Sequence, residues 1–368
     1  MKASKIILKV VIVLVIVVVV ILAAVLLFLR FSPTVGAHPG KEDRQIYKEK
    51  NEYFDGKAFH NINDVSTMSG ETQKKDKRAV PENTIPCEEP TLLSSPSASD
   101  LTFTWIGHSS SLLQMNGMNI LIDPVLSDRS SPVGFAGPKR FSECPFTYES
   151  LPKIDVLFVS HDHYDHLDYK TIKNTKDKVD TYIVPLGVDV ILKGWGVDAD
   201  KIRVLNWWED TKVGDITFTL TPSQHFTGRD PLRSNTTLWG GLYLSSEEYK
   251  VYYTGDSGYF DGFAEVGERL GAPDLMLAEC GQYDEGWAKI HMFPEQTAQA
   301  GIDCKAKWVV PIHWGTFCIC NNAWDDSAIR VTAAAEEKGL DLATPRIGQT
   351  VNYSDISSYN ERWWENFS

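Results

Sequence analysis

Nine consecutive residues carry the strongest chemical signal in this chain. Ser160-His161-Asp162-His163-Tyr164-Asp165-His166-Leu167-Asp168 places three imidazoles within six positions, spaced His-x-His-x-Asp-His. Burying so many ionisable groups together costs free energy unless a cation compensates them. Imidazole nitrogen and carboxylate oxygen are ligands that zinc prefers. A lone histidine is more often a core hydrogen bonder, but three in this pattern point to a metal. The apolar run 156–159 leads directly into them, so a stiff strand ends where the candidate ligands begin.

Three more candidates repeat that placement. His225 follows the run 216–220, Asp256 follows 251–253 and His313 follows 308–312. Ligands gathered at strand ends from distant sequence are how a metal site is built on a sheet. Asp162 and Asp168 are expected to orient ligands, because a ligating His gives its other N–H to an acceptor. His108 reads either as support for such a site or as a core hydrogen bonder. The six cysteines contain no Cys-x-x-Cys pair, and Cys318 and Cys320, close after His313, read as ordinary thiols rather than a third metal or redox element. No Gly-x-Gly-x-x-Gly, phosphate loop or Gly-x-Ser-x-Gly occurs, so nucleotide-dependent and serine-hydrolase chemistry have no support.

The elements that must position these groups are short apolar runs at 101–106, 111–115, 119–122, 156–159, 181–184, 202–205, 216–220, 238–244, 251–253, 275–278 and 308–312. Asn116-Gly117 joins the second and third as a hairpin signal. Helical patterns fall at 294–304, opened by Pro294, and at 327–339, closed by glycine. Strands with interspersed helices imply a layered α/β domain over 101–368. Residues 31–100 are polar, with scattered prolines, and read as a linker and partly ordered arm with little regular structure. Within it, 53–59 holds enough aromatic side chain to dock on the domain, and reads equally as a flexible tether.

Residues 1–30 form a membrane anchor in this reading. Positions 10–29 are an unbroken apolar run matching the roughly 20 residues that cross a hydrocarbon core. A signal peptide is the alternative, but its apolar region is usually about 7–15 residues. Lys2, Lys5 and Lys9 precede the run and Arg30 follows it, which favours a cytoplasmic N-terminus and an extracytoplasmic domain at the cell membrane. The remainder of the chain carries 32 basic against 49 acidic residues, a net charge of −17. That argues against nucleic acid, which is bound through clustered Lys and Arg.

The cluster with the spaced His225, Asp256 and His313 resembles the metallo-β-lactamase fold, an αβ/βα four-layer sandwich with a dinuclear metal site on one edge. Longer strings resemble one branch, the N-acyl-phosphatidylethanolamine-hydrolysing phospholipase D: Trp105-Ile106-Gly107-His108-Ser109-Ser110, Ile122-Asp123-Pro124-Val125-Leu126-Ser127-Asp128-Arg129-Ser130-Ser131-Pro132, Phe135-Ala136-Gly137-Pro138-Lys139-Arg140 and Pro311-Ile312-His313-Trp314-Gly315-Thr316-Phe317. The likeness spans roughly 53–348. It implies two zinc ions, one on His161, His163 and His225, the other on Asp165, His166 and His313, with Asp256 between them. It also implies that His291 contacts the substrate phosphate or serves the leaving group, and it leaves a homodimer open. The animal enzyme it resembles is not built around a membrane helix, a departure that puts lipid access in question.

Zinc lowers the pKa of a bound water from 15.7 toward about 7, giving hydroxide at neutral pH. The resemblance therefore implies a zinc-dependent phosphodiesterase that cleaves N-acyl phosphatidylethanolamine or a related membrane lipid. The alternative is a metal-dependent hydrolase of a soluble ester such as a sugar-phosphate lactone. A non-catalytic binding protein fits least, since it leaves seven ligand candidates unexplained.

Overall fold

The computed structural model describes residues 2–68 and 70–367. Met1, Ser69 and Ser368 lie outside the described residues, as do the side chains at 2–4, including the Lys2 that entered the orientation argument. Two sheets form the centre. The first runs β13-β1-β2-β3-β4-β5-β6 and the second β12-β11-β10-β9-β8-β7. Strands β1 (Leu101–Gly107), β2 (Ser110–Met115) and β3 (Met118–Ile122) are an antiparallel meander. Its β2–β3 turn places Asn116 and Gly117 at φ 50° and 80°, the left-handed pair a tight hairpin requires. Strands β4 (Ile154–Phe158), β5 (Val179–Pro185) and β6 (Ile202–Leu205) then continue parallel to β3.

In the second sheet β7 (Asp210–Val213), β8 (Ile216–Thr221), β9 (Gly241–Ser245) and β10 (Lys250–Tyr253) are antiparallel. Strands β11 (Leu275–Glu279) and β12 (Trp308–Ile312) follow β10 in parallel. Strands β8, β10, β11 and β12 therefore all finish at the same edge. That shared direction is what allows distant segments to deliver side chains to one point.

Phe103, Leu113, Ile120, Val156 and Phe158 of the first sheet meet Phe218, Leu220, Leu244, Val251 and Leu277 of the second in one buried core. Helices α3 (Tyr169–Thr175) and α4 (Val188–Gly194) cover the outer face of the first sheet through Ile172, Ile191 and Leu192. Helix α5 (Gly262–Leu270) covers the second through Phe263 and Val266, and α6 (Pro294–Asp303) does so through Ala300. Helix α7 (Asp326–Lys338) packs on α6. These are the four layers expected, helix, sheet, sheet and helix.

Several elements differ from the sequence reading. The expected run 238–244 becomes a strand only from Gly241, because Leu238 and Trp239 fold into the core ahead of it. Strand β7 is an edge strand with a polar, half-exposed pattern, and β13 (Thr350–Asn352) is three residues long, so neither presents an apolar run. Residues 31–100 contain a regular helix, α2 (Lys41–Lys50), where little regular structure was expected. It buries only Tyr47, and its order comes from acids at its start and lysines at its end, which complement the helix dipole. Tyr47, Phe54 and Phe59 meet one another, with Phe54 and Phe59 centroids 4.6 Å apart, and are buried in the domain's core cluster, while Tyr53 meets Trp207 at 5.6 Å, so the arm docks and this part of it is not a flexible tether.

Helix α1 (Lys2–Phe31) precedes the domain, and residues 5–31 are long and apolar enough to cross a membrane, a test that a signal sequence also passes.

Candidate metal centre

All seven candidates converge where the strands end. Strand β4 delivers the loop 160–168, β8 leads to His225, β10 to Asp256 and β12 to His313. His161 Nε2 lies 2.9 Å from His163 Nδ1, and His225 Nε2 lies 3.3 Å from that same atom. On the other side, His166 Nε2 and His313 Nε2 each lie 3.6 Å from Asp165 Oδ2. Asp256 stands between the two sets. Its Oδ2 is 3.8 Å from His161, 3.7 Å from His225 and 3.1 Å from His166, while its Oδ1 is 2.6 Å from His313 Nδ1.

The surrounding contacts assign the ring nitrogens. His225 Nδ1 reaches the Ile290 carbonyl at 3.0 Å, His161 Nδ1 reaches Ser160 Oγ at 2.8 Å and His166 Nδ1 reaches Asp123 Oδ2 at 2.7 Å. In the arrangement that satisfies these acceptors each Nδ1 donates, and each Nε2 turns an unshared pair toward the centre. Lone pairs facing one another at such distances repel unless a cation lies among them. His313 Nε2 is buried without a hydrogen-bond partner, which is a second mark of a cation site. The residues present therefore fit two metal ions, in the two sets the resemblance implies.

Asp123 carries more of this architecture than its sequence position advertised. Ser160 donates to it through both its N–H and its hydroxyl, and Tyr253 donates its hydroxyl as well. An aspartate directly after β3, a strand parallel to β4, is the available signal. His108 lies 3.0 Å from Asp165 Oδ2 and so supports a candidate ligand rather than the core alone. Asp162 and Asp168 do not orient imidazoles. Asp162 accepts from the Gly228 N–H and the Thr237 hydroxyl, while Asp168 caps α3 and accepts from Ser127. Both hold the loop in shape instead.

His108, Asp123 and His313 have φ of 53°, 41° and 71°, a left-handed region that side chains rarely occupy. Such strain persists where surrounding structure fixes it, and here it aims three site residues inward. Gly281 permits the tight approach beside His313, since a Cβ there would sit 1.8 Å from the His313 carbonyl. The beta-lactamase superfamily domain family matches residues 118–314, which contain the whole set.

The chain belongs to the beta-lactamase superfamily. An uncharacterized protein of Mycobacterium tuberculosis is 34% identical over 335 residues, covering 87% of this chain and 89% of its own. The N-acyl-phosphatidylethanolamine-hydrolyzing phospholipase D 1 of Caenorhabditis elegans is 35% identical over 262 residues, covering 68% of this chain and 73% of that protein. Among solved structures, the metallo hydrolase Igni18 of Ignicoccus hospitalis superposes with a TM-score of 0.52 at 22% identity, covering 68% of this chain and 97% of that one, which supports the fold. The chain is thus built as a metal-dependent hydrolase of that superfamily.

Electrostatics in this superfamily member follow from burial. Desolvation holds His161, His163 and His225 below the usual imidazole pKa, which keeps them neutral and able to ligate. Burial opposes charge on His166 too, but Asp256, Asp165 and Asp123 outweigh it and raise its pKa well above the usual value. The carboxylates thus attract positive charge to the centre.

His291 completes the wall. Its ring centroid is 5.0 Å from His225 and 5.3 Å from His313, and its Nδ1 is 3.2 Å from Glu279 Oε1. Glu279 was not singled out from sequence, although it ends β11 at the same edge; burial raises its pKa well above the carboxylate range. No candidate ligand group among the described residues includes a cysteine, and Cys318 instead donates to the Cys320 carbonyl.

Proposed function

We propose that this protein is a phosphodiesterase of phospholipase D type, hydrolysing N-acyl phosphatidylethanolamine or a related lipid with two zinc ions. The observation that carries the reading is Asp256, set between a three-histidine group and an Asp165-His166-His313 group. That geometry suits two divalent ions sharing one carboxylate, and the nematode relative supports the lipid class. Helix α1, acting as an anchor through residues 10–29, would keep an extracytoplasmic domain beside its bilayer substrate.

Bound metal ions supply positive charge beside the phosphodiester and lower the pKa of water. The chain's own residues do the rest. His161, His163 and His225 would hold one ion, and Asp165, His166 and His313 would hold the other. Asp123 and the Ile290 carbonyl fix the imidazole tautomers, and His108 fixes the Asp165 carboxylate. Glu279 engages His291 Nδ1, which leaves His291 Nε2 to contact the phosphate or to hold the proton that the leaving alkoxide takes. The products are a phosphatidic acid and an N-acylethanolamine.

Purified full-length protein with zinc should release both products from N-acyl phosphatidylethanolamine vesicles. No release, together with hydrolysis of a sugar-phosphate lactone, would reject this reading in favour of the soluble-ester hydrolase.

A further inference from the structure

Arg229 is buried, yet its guanidinium binds no carboxylate. Its Nε and Nη2 donate to the carbonyls of Val35 and Thr34, and its Nη1 donates to those of Asp162 and Leu167. It also lies over the rings of Tyr164 and Trp195, at 4.1 and 5.3 Å from their centroids. One side chain therefore clamps the chain leaving α1 directly to the loop of candidate metal ligands. Val35 is buried, so the junction is packed and not a free tether.

The distance available is short. Helix α1 ends at Phe31, and four residues reach at most about 14 Å when fully extended. Here they turn back, with Val35 N–H donating to the Ser32 carbonyl and Gly36 N–H to that of Pro33. If residues 10–29 fill a hydrocarbon core, Thr34 and whatever packs on it lie at the headgroup layer.

Two loops share that position. Thr34, Arg129, Val133, Gly134, Lys170 and Arg229 line one pocket. The next loop follows Arg229 itself, with Asp230 paired to Arg233 and 3.4 Å from His38. Each loop carries an apolar side chain with nothing to cover it. Phe135 is 85% exposed and Leu232 65%, the highest values for large apolar side chains among the described residues beyond α1. Gly134 precedes Phe135, and in Gly134 an added Cβ would meet nothing, as expected of a loop projecting outward.

We infer that the loops bearing Phe135 and Leu232 insert into the same bilayer leaflet that α1 enters, docking the metal-site edge of the domain on the membrane surface. The occupant of this face is lipid, because the span's own exit places it there. The inference rests on α1 acting as a membrane span, but it does not depend on which ester the site hydrolyses. Docking would bring His163 and Tyr164, both half-exposed on the loop that Arg229 holds, toward the headgroups.

The test uses full-length protein in nanodiscs of phosphatidylcholine and phosphatidylglycerol. Phe135→Cys and Leu232→Cys variants carry an environment-sensitive fluorophore, with the unsubstituted chain labelled in parallel to subtract its native thiols. Asp177→Cys is the control, since Asp177 precedes β5 and so lies at the sheet edge opposite the site. Brominated acyl chains should quench most of the signal at 135 and 232 and leave that at 177 unchanged. Unquenched labels on chains that co-isolate with the discs overturn the docking while leaving α1 as a span. Chains that fail to co-isolate contradict the span, and the docking with it. Labels shielded in detergent by a dimeric species assign the face to a second copy and likewise overturn it.

Discussion

The Asp123 carboxylate receives His166 Nδ1 at 2.7 Å while it also accepts from Ser160 and Tyr253. Aspartate, histidine and metal position thus form a chain across the first sheet and its neighbour. Partners that orient a ligating histidine typically change metal affinity or activity about 10–100-fold when lost. Asp123→Ala is expected to weaken retention of one ion by that order, read by competition with a chromogenic chelator. Unchanged retention would remove Asp123 from the site.

Asp256 touches both sets, so Asp256→Asn should abolish turnover and lower metal content while the fold persists. Circular dichroism and metal analysis on the same preparation separate these effects. Persisting activity would refute the shared carboxylate.

His291 and Glu279 predict a different pattern. General acid–base groups contribute about 10²- to 10⁴-fold, and His291 stands beside both ligand sets with its Nδ1 3.2 Å from Glu279 Oε1. His291→Gln should lower kcat by that order with metal content unchanged, and Glu279→Gln should do so more weakly. A short-chain substrate whose leaving group needs no proton should rescue His291→Gln. Loss of metal in either variant would instead make them part of the ligand shell.

Support for His313 extends to the C-terminus. Trp314 stacks on buried Trp363, centroids 5.4 Å apart, and Trp364 meets it edge-on. Trp363→Ala removes a fully buried indole, a change that typically costs about 3–5 kcal/mol. Thermal unfolding of the full chain should drop accordingly, and His313 should hold its ion less tightly. An unchanged melting temperature would show that the tryptophan stack carries little load.

Much of this was legible because strand ends and histidine spacing are local signals. The runs leading to His161, His225, Asp256 and His313 mark both the sheets and the side chains they deliver. What escaped depends on long-range pairing. Asp123 meets His166 only because β3 and β4 are parallel neighbours, and Glu279 meets His291 only because β11 ends beside them. Asp162 differs for the same reason, since its partners Gly228 and Thr237 lie far away in sequence, whereas Asp168 serves locally as the N-cap of α3 and meets only Ser127 at long range. Helix α2 was hidden by composition, because charge along its axis rather than an apolar stripe orders it.

Seven residues are placed to hold two metal ions. The direct measurement is metal content per chain of purified full-length protein, by plasma mass spectrometry, alongside a variant replacing His161 and His163 by Ala. Two ions per chain are expected, zinc foremost, and one in the variant. A value well below two in the unsubstituted protein after incubation with zinc would contradict it.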